Sequence, residues 1–152
     1  MALNIRYISI EGNTRNFIQH LTEYAKQQHI ADTNQPEVNA VEISEQTDFT
    51  HETVPYFAFV PTYLDGGNGI DNGVKELMTN VLGEYIAYGN NRQHCLGVVG
   101  SGNRNFNEQY CLTARRYAND YGFPFLADYE LRGTNADVKR VYNVLVDRTN
   151  QI

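Results

Sequence analysis

A chain of 152 residues, 41% hydrophobic and 20% charged, is long enough to bury a core and too apolar to stay disordered. Its net charge of −6 argues against broad nucleic-acid binding, which needs Lys and Arg against phosphates, but allows one phosphate held by backbone N–H groups. The apolar runs are too short for a membrane-spanning helix, and MALNIRYISI has none of the segments of an export signal. Two cysteines, Cys95 and Cys111, match neither a metal spacing nor a disulfide framework, so a reducing cytoplasm is the expected compartment.

In chain order, ALNIRYISI (Ala2 to Ile10) reads as a first strand that stops at EGNT. A helix follows with Phe17, Ile18, Leu21, Tyr24 and Ala25 on one face and Asn13 or Thr14 as its cap. The polar stretch QQHIADTNQPE (Gln27 to Glu37) reads as a surface insertion, and VNAVEI as a short second strand. YFAFV (Tyr56 to Val60) is nearly continuous in apolar residues, as a strand buried on both faces would be. After it come the glycine-rich PTYLDGGNGIDNG and a helix around Val74 to Leu82, with Val74, Leu77, Met78, Val81 and Leu82 in helical spacing. The text around Gly89 to Arg92 is polar and turn-like.

CLGVVG is the fourth strand and SGNRNFN the loop after it. The next helix carries Tyr110, Ala114, Tyr117, Ala118 and Tyr121 on one side, with Gly122 where a C-terminal cap belongs. PFLADYEL is a fifth strand. Thr134 and Asp137 resemble a capping box, and Val138, Val141, Tyr142 and Leu145 form the stripe of a last helix. Strands alternating with helices, with the most apolar strands central, imply a parallel sheet covered on both faces. Right-handed crossovers leave few topologies for five such units. The expectation is α/β: a flavodoxin-like three-layer sandwich with a five-stranded parallel sheet of order 2-1-3-4-5, as one domain over residues 1–152.

In such sheets ligands bind beyond the carboxyl ends of the strands, where the strand order reverses. Three loops fall on that edge: SIEGNT (Ser9 to Thr14), PTYLDGGNG (Pro61 to Gly69) and SGNRNF (Ser101 to Phe106). The first runs into a helix N-terminus, which favours an anion, and Gly12 lets the backbone turn close to a ligand. Plain capping by Asn13 or Thr14 would explain the same residues. No Gly-Lys-Ser/Thr follows, so this is no Walker A loop. The second loop offers Tyr63, an aromatic suited to stacking on a flat ligand, although glycines of this kind also make flexible connections. The third offers Asn103, Arg104, Asn105 and Phe106, or else a polar turn capping the next helix through Asn105 or Asn107. Neither glycine loop completes a dinucleotide fingerprint. Together the three describe a phosphate cradle, a glycine-rich wall and an aromatic-bearing polar wall, which flavin mononucleotide (FMN) fits.

Other chemistry is poorly supported. His20, His29, His51 and His94 show no ligand spacing and read as structural or exposed. Ser101 is not in a nucleophile elbow, and Cys111 reads as a small core residue on the apolar side of a helix.

GSGNRNFNEQY, ELRGTNAD (Glu130 to Asp137) and the first loop, with its S-x-E-G-N-T-R-N-F text, resemble the NrdI family across nearly the whole chain. These are flavodoxin-like accessory proteins of class Ib ribonucleotide reductase. The resemblance implies that Ser9, Gly12, Asn13 and Thr14 hold the FMN phosphate. It implies that Thr62, Tyr63, Gly66 and Gly67 flank the ring and that Ser101, Gly102, Asn103 and Phe106, with Asn105 in the same loop, close the other side. It also implies the role: to be reduced, react with oxygen, and pass superoxide or peroxide to the dimanganese small subunit for its tyrosyl radical. The implied partners are that subunit and a flavodoxin-type reductase or other electron donor, with no nucleic acid and no membrane, and a monomer is expected. Two departures stand out. Glu11 lies where related loops more often carry Ser or Thr, so it is expected to point outward or to weaken FMN binding. Leu64 and Asp65 are bulkier than the glycine some relatives have there. The rival readings are a plain flavodoxin-type one-electron carrier and a cofactor-less binding module of the same fold.

Overall fold

The computed structural model describes residues 2–62, 80–103 and 111–152. Its elements are β1 (Ala2–Tyr7), α1 (Asn13–Ala31), β2 (Glu37–Glu42), β3 (Tyr56–Pro61), α2 (Val81–Ala87), α3 (Asn91–His94), β4 (Cys95–Gly102), α4 (Leu112–Tyr121), β5 (Phe125–Glu130) and α5 (Asn135–Asn150). The strands form one five-stranded sheet in the order β2-β1-β3-β4-β5, with every pairing parallel. The expected sandwich is therefore present.

Alternating side chains of the strands feed two cores, one on each face. Ile5, Tyr7, Phe57, Phe59 and Tyr129 pack against Phe17, Leu21, Val141 and Leu145 of α1 and α5. Tyr56, Ala58, Val60 and Val98 pack on the other face with Leu82, Ile86, Ala114 and Tyr117 of α2 and α4. All six residues of β3 are buried, as the continuous apolar run requires of a central strand. The edge strand β2 only alternates between exposed and half-buried.

The differences from the sequence expectation are instructive. Gln27 to Ala31 complete α1 and are not part of an insertion; the turn comes only at Asp32, whose N–H still reaches Gln28 O at 2.9 Å. A polar last turn is what a solvent-facing helix end looks like, and periodicity is weakest there. Val81 and Leu82, read as the end of a helix, begin α2, which continues to Ala87; residues 74–79 lie outside the described residues. Gly83 sits inside α2. A Cβ there would crowd Asn80 Oδ1 and the Tyr121 hydroxyl, so a larger residue would push those side-chain ends aside.

Asn91, in a stretch that reads as a surface turn, is buried and acts as a hub. Its Oδ1 accepts from Glu52 N–H at 2.8 Å, and its Nδ2 donates to Thr50 O (2.9 Å) and Tyr85 O (3.0 Å). Glu52 in turn takes a bidentate pair from Arg6 (2.7 and 3.1 Å) and the hydroxyl proton of Tyr85. This network pins the connection between β2 and β3 onto the sheet.

Candidate functional site

β1 leaves the sheet where β3 follows it, with Ile8 N–H donating to Phe59 O at 3.3 Å. From β1 the chain crosses outward to β2 and then returns to β3 on β1's other side, so the strand order reverses between β1 and β3. The carboxyl ends of β1, β3 and β4 thus converge at the switch point where open α/β sheets hold ligands.

In the first loop, Gly12 is the N-cap of α1 with φ 95°, a left-handed conformation that favours glycine. No side chain caps the helix in the usual way, and its first turn carries no acid. Neither Asn13 nor Thr14 is the cap, contrary to the expectation. The Ser9 hydroxyl oxygen accepts from Arg15 N–H at 3.2 Å, which folds the loop back on the first turn. Thr14 is 1% exposed, and its Oγ1 is a buried side-chain oxygen with no hydrogen-bond partner among the described residues. Buried hydroxyls are nearly always satisfied, so this one calls for a partner from outside the chain. Glu11 is exposed, with its carboxylate free to remain in water.

The nearby charges are matched to one another. Arg15 holds Glu42 at the end of β2 through two hydrogen bonds of 2.9 and 2.8 Å. Hydrogen bonding from Arg15 keeps the Glu42 carboxyl below the usual carboxylate range, against the opposing effect of its partial burial. Burial, and after it the charge of Glu42, pushes the Tyr7 phenol up. With Arg15 committed to Glu42, the pull of this loop on an anion comes from the helix dipole, N–H groups and hydroxyls.

The second and third segments meet at Thr62. Its N–H donates to Ser101 O at 2.9 Å, and its Oγ1 accepts from Thr113 N–H at 3.0 Å. Thr62 is 9% and Ser101 2% exposed; Gly102 is buried and Asn103 half-buried. Gly102 O accepts from Leu131 N–H at 2.9 Å, which brings in the loop after β5. Cys111 is the N-cap of α4 and, as expected, a small buried residue on the side of the helix that faces β4 at Gly100. The structure thus brings Ser9, Gly12, Asn13, Thr14, Thr62, Ser101, Gly102 and Asn103 to one edge. Tyr63, Leu64, Asp65, Gly66, Gly67, Arg104, Asn105 and Phe106 lie outside the described residues. Sequence reasoning missed the pairing of Thr62 with Thr113 and of Arg15 with Glu42, because neither leaves a local pattern.

An all-parallel sheet of this order, with a glycine-turned helix start at its switch point, defines a protein of flavodoxin fold. Solved structures agree. A short-chain flavodoxin associated with a PDU bacterial microcompartment superposes with a TM-score of 0.66 at 16% identity, covering 99% of this chain and 98% of the other. Flavodoxin 2 of Bacillus cereus superposes with a TM-score of 0.57 at 15% identity over the whole of both chains. The family described as NrdI Flavodoxin like matches residues 5–143. An NrdI-like protein of Streptococcus pyogenes serotype M18 is 49% identical over 96% of this chain and 93% of its own length. Protein NrdI of Bartonella tribocorum is 35% identical over 91% of this chain and 89% of its own. The chain belongs to the NrdI flavodoxin-like family.

Membership of that family and the flavodoxin fold imply FMN as the cofactor. The residues present fit it. An orphaned, buried hydroxyl at an anion-favouring helix start is what a phosphate monoester would satisfy.

Proposed function

We propose that this protein is the FMN-bearing accessory protein of a class Ib ribonucleotide reductase, which when reduced activates oxygen. It would supply superoxide or peroxide for assembly of the dimanganese–tyrosyl radical cofactor in the reductase small subunit. The role rests on family membership. The site reading rests on one observation, the buried and unpartnered Thr14 Oγ1 at the start of a 19-residue helix.

In this reading Ser9, Gly12, Asn13 and Thr14 hold the phosphate through backbone N–H groups and hydroxyls. Thr62, Tyr63, Gly66 and Gly67 flank the ring on one side, and Ser101, Gly102, Asn103, Asn105 and Phe106 close the other. Glu11 stays in solvent. When bound, the flavin supplies the redox chemistry, while the chain supplies position, electrostatics and control of water access. The electron donor is a flavodoxin-type reductase or its equivalent. The reading takes residues 1–152 as one FMN-binding domain that works as a monomer in the cytoplasm.

The test begins with purified protein mixed with FMN, desalted, and examined by absorption. The loaded protein is then reduced without oxygen and mixed with the Mn(II)-loaded small subunit in aerated buffer. A tyrosyl radical signal in electron paramagnetic resonance is the expected result. Retained flavin with no radical would overturn the oxidant role in favour of one-electron transfer. A protein that holds no flavin would leave only the binding-module reading.

A further inference from the structure

A helix normally draws its cap from its own chain: an Asp, Asn, Ser or Thr just before the first turn accepts from the second or third N–H. Among the described residues α4 shows no such cap. Its N-cap is Cys111, held at φ 54° in the left-handed region, and its side chain makes no capping bond. The N–H at the second helical position, Thr113, donates instead to Thr62 Oγ1, from a residue 51 positions away. Thr62, Ser101 and Thr113 are all buried, and Thr62 N–H simultaneously holds Ser101 O. α4 also lies hard on β4: a Cβ on Gly100 would meet Ala114 Cβ at 2.5 Å and Cys111 Cβ at 3.3 Å.

We infer that Thr62 is a positioning residue, which caps α4 in trans and locks the ends of β3 and β4 to the start of that helix. The inference rests on the flavin reading above for its functional consequence. Under that reading the ends of β3 and β4 are the two sides of the ring pocket, and the hydroxyl ties them to the start of α4 while the Thr62 N–H holds them to each other. The lock acts on the ring and not on the phosphate, so its loss weakens FMN and riboflavin by the same factor. Loss of a phosphate-loop hydroxyl would weaken FMN alone.

The experiment compares Thr62→Val and Thr62→Ser with the unaltered protein, using Thr62→Ala where the valine variant does not fold. Amide exchange in the FMN-free proteins reads the cap, and quenching of flavin fluorescence reads affinity for FMN and for riboflavin. Thr62→Val is expected to speed Thr113 exchange by roughly ten-fold, in proportion to a lost cap. It is expected to raise both dissociation constants by a similar factor, with Thr62→Ser close to the unaltered protein. Unchanged Thr113 exchange overturns the inference. So do faster exchange with both affinities intact, loss of FMN affinity alone, or a serine variant that behaves like the valine one. An unaltered protein that takes up no FMN overturns the flavin reading, and the exchange result still decides the cap.

Discussion

Thr14 sets two opposed effects on one hydroxyl. Without a partner, its buried Oγ1 costs the protein roughly 1–3 kcal/mol of desolvation; with a phosphate against it, the same oxygen has a strong charge-assisted bond. Thr14→Val keeps the shape and removes the oxygen. The FMN-free variant should therefore unfold at the same temperature or slightly higher, while FMN affinity falls about ten-fold and riboflavin affinity does not change. Thermal unfolding and fluorescence titration check the two halves, and a destabilised FMN-free variant would mean that the hydroxyl has a partner within the chain. Glu11, the residue that looked most hostile to a phosphate, is exposed, and water and salt screen a charge there. Gly133 lies in the ELRGT loop that resembles the family. Its φ is 73°, and a Cβ there would meet the Phe17 ring at 2.7 Å, so that the glycine lets the loop sit on the Phe17–Tyr129 stack, whose ring centroids are 3.8 Å apart.

Each long helix is started by a different device. α1 has a left-handed glycine and an open anion-favouring end, α4 borrows its cap from β3, and α5 is self-sufficient. In α5 the capping box is complete: Asp137 N–H donates to Thr134 Oγ1 at 3.2 Å and Thr134 N–H to Asp137 Oδ2 at 2.9 Å. Thr134→Ala should cost about 1 kcal/mol and lower Tm by a few degrees, read by thermal unfolding. Partial burial works against the ionisation of Asp137, but hydrogen bonds from Arg140 and Thr134 outweigh it and hold its carboxyl below the usual range. Glu42 is held low by Arg15. Both folded pKa values lie under the unfolded ones, so the two groups stabilise the protein fully above the ordinary carboxylate pKa of about 4. That contribution disappears as the pH falls through the lower folded values. Urea midpoints measured from pH 6 down to pH 2 should drop less steeply for Glu42→Gln/Asp137→Asn than for the unaltered chain. Equal slopes would show that the acid limb comes from other carboxylates.

At the scale of the whole molecule, the buried pair of Arg6 and Glu52 ties β1 to the β2–β3 connection, with side chains only 13% and 5% exposed. Glu52→Ala leaves the guanidinium buried without its counter-charge and strips Tyr85 of its acceptor. A loss of about 3–5 kcal/mol is expected, seen as a fall in Tm of roughly 10 °C. A fall of only a degree or two would mean that water reaches the pair. The polar hub around Asn91 shows why such features escape a reading of the chain: in a stretch of Gly, Asn, Arg and Gln, nothing local separates a buried asparagine from a solvated one. By contrast, the strand order, helices α1, α4 and α5, the two cores, the Gly122 cap (φ 83°) and the Thr134–Asp137 box were legible, because each is written in spacings of two to four residues; the short α3 was not. The same holds for the convergence of Ser9–Thr14, Thr62 and Ser101–Asn103, which follows from parallel topology and the switch point alone. Spacing and motifs along the chain were thus enough for the fold, the edge where the three segments converge and the family likeness. Long-range packing settled that Gly12 and not Asn13 caps α1, that Thr14 Oγ1 has no partner among the described residues, and that Thr62 caps α4. It also decided that Arg6 meets Glu52. The two hydrogen-bonded contacts span 51 and 46 residues, and such bonds are selected by packing in three dimensions, not by any pattern along the chain.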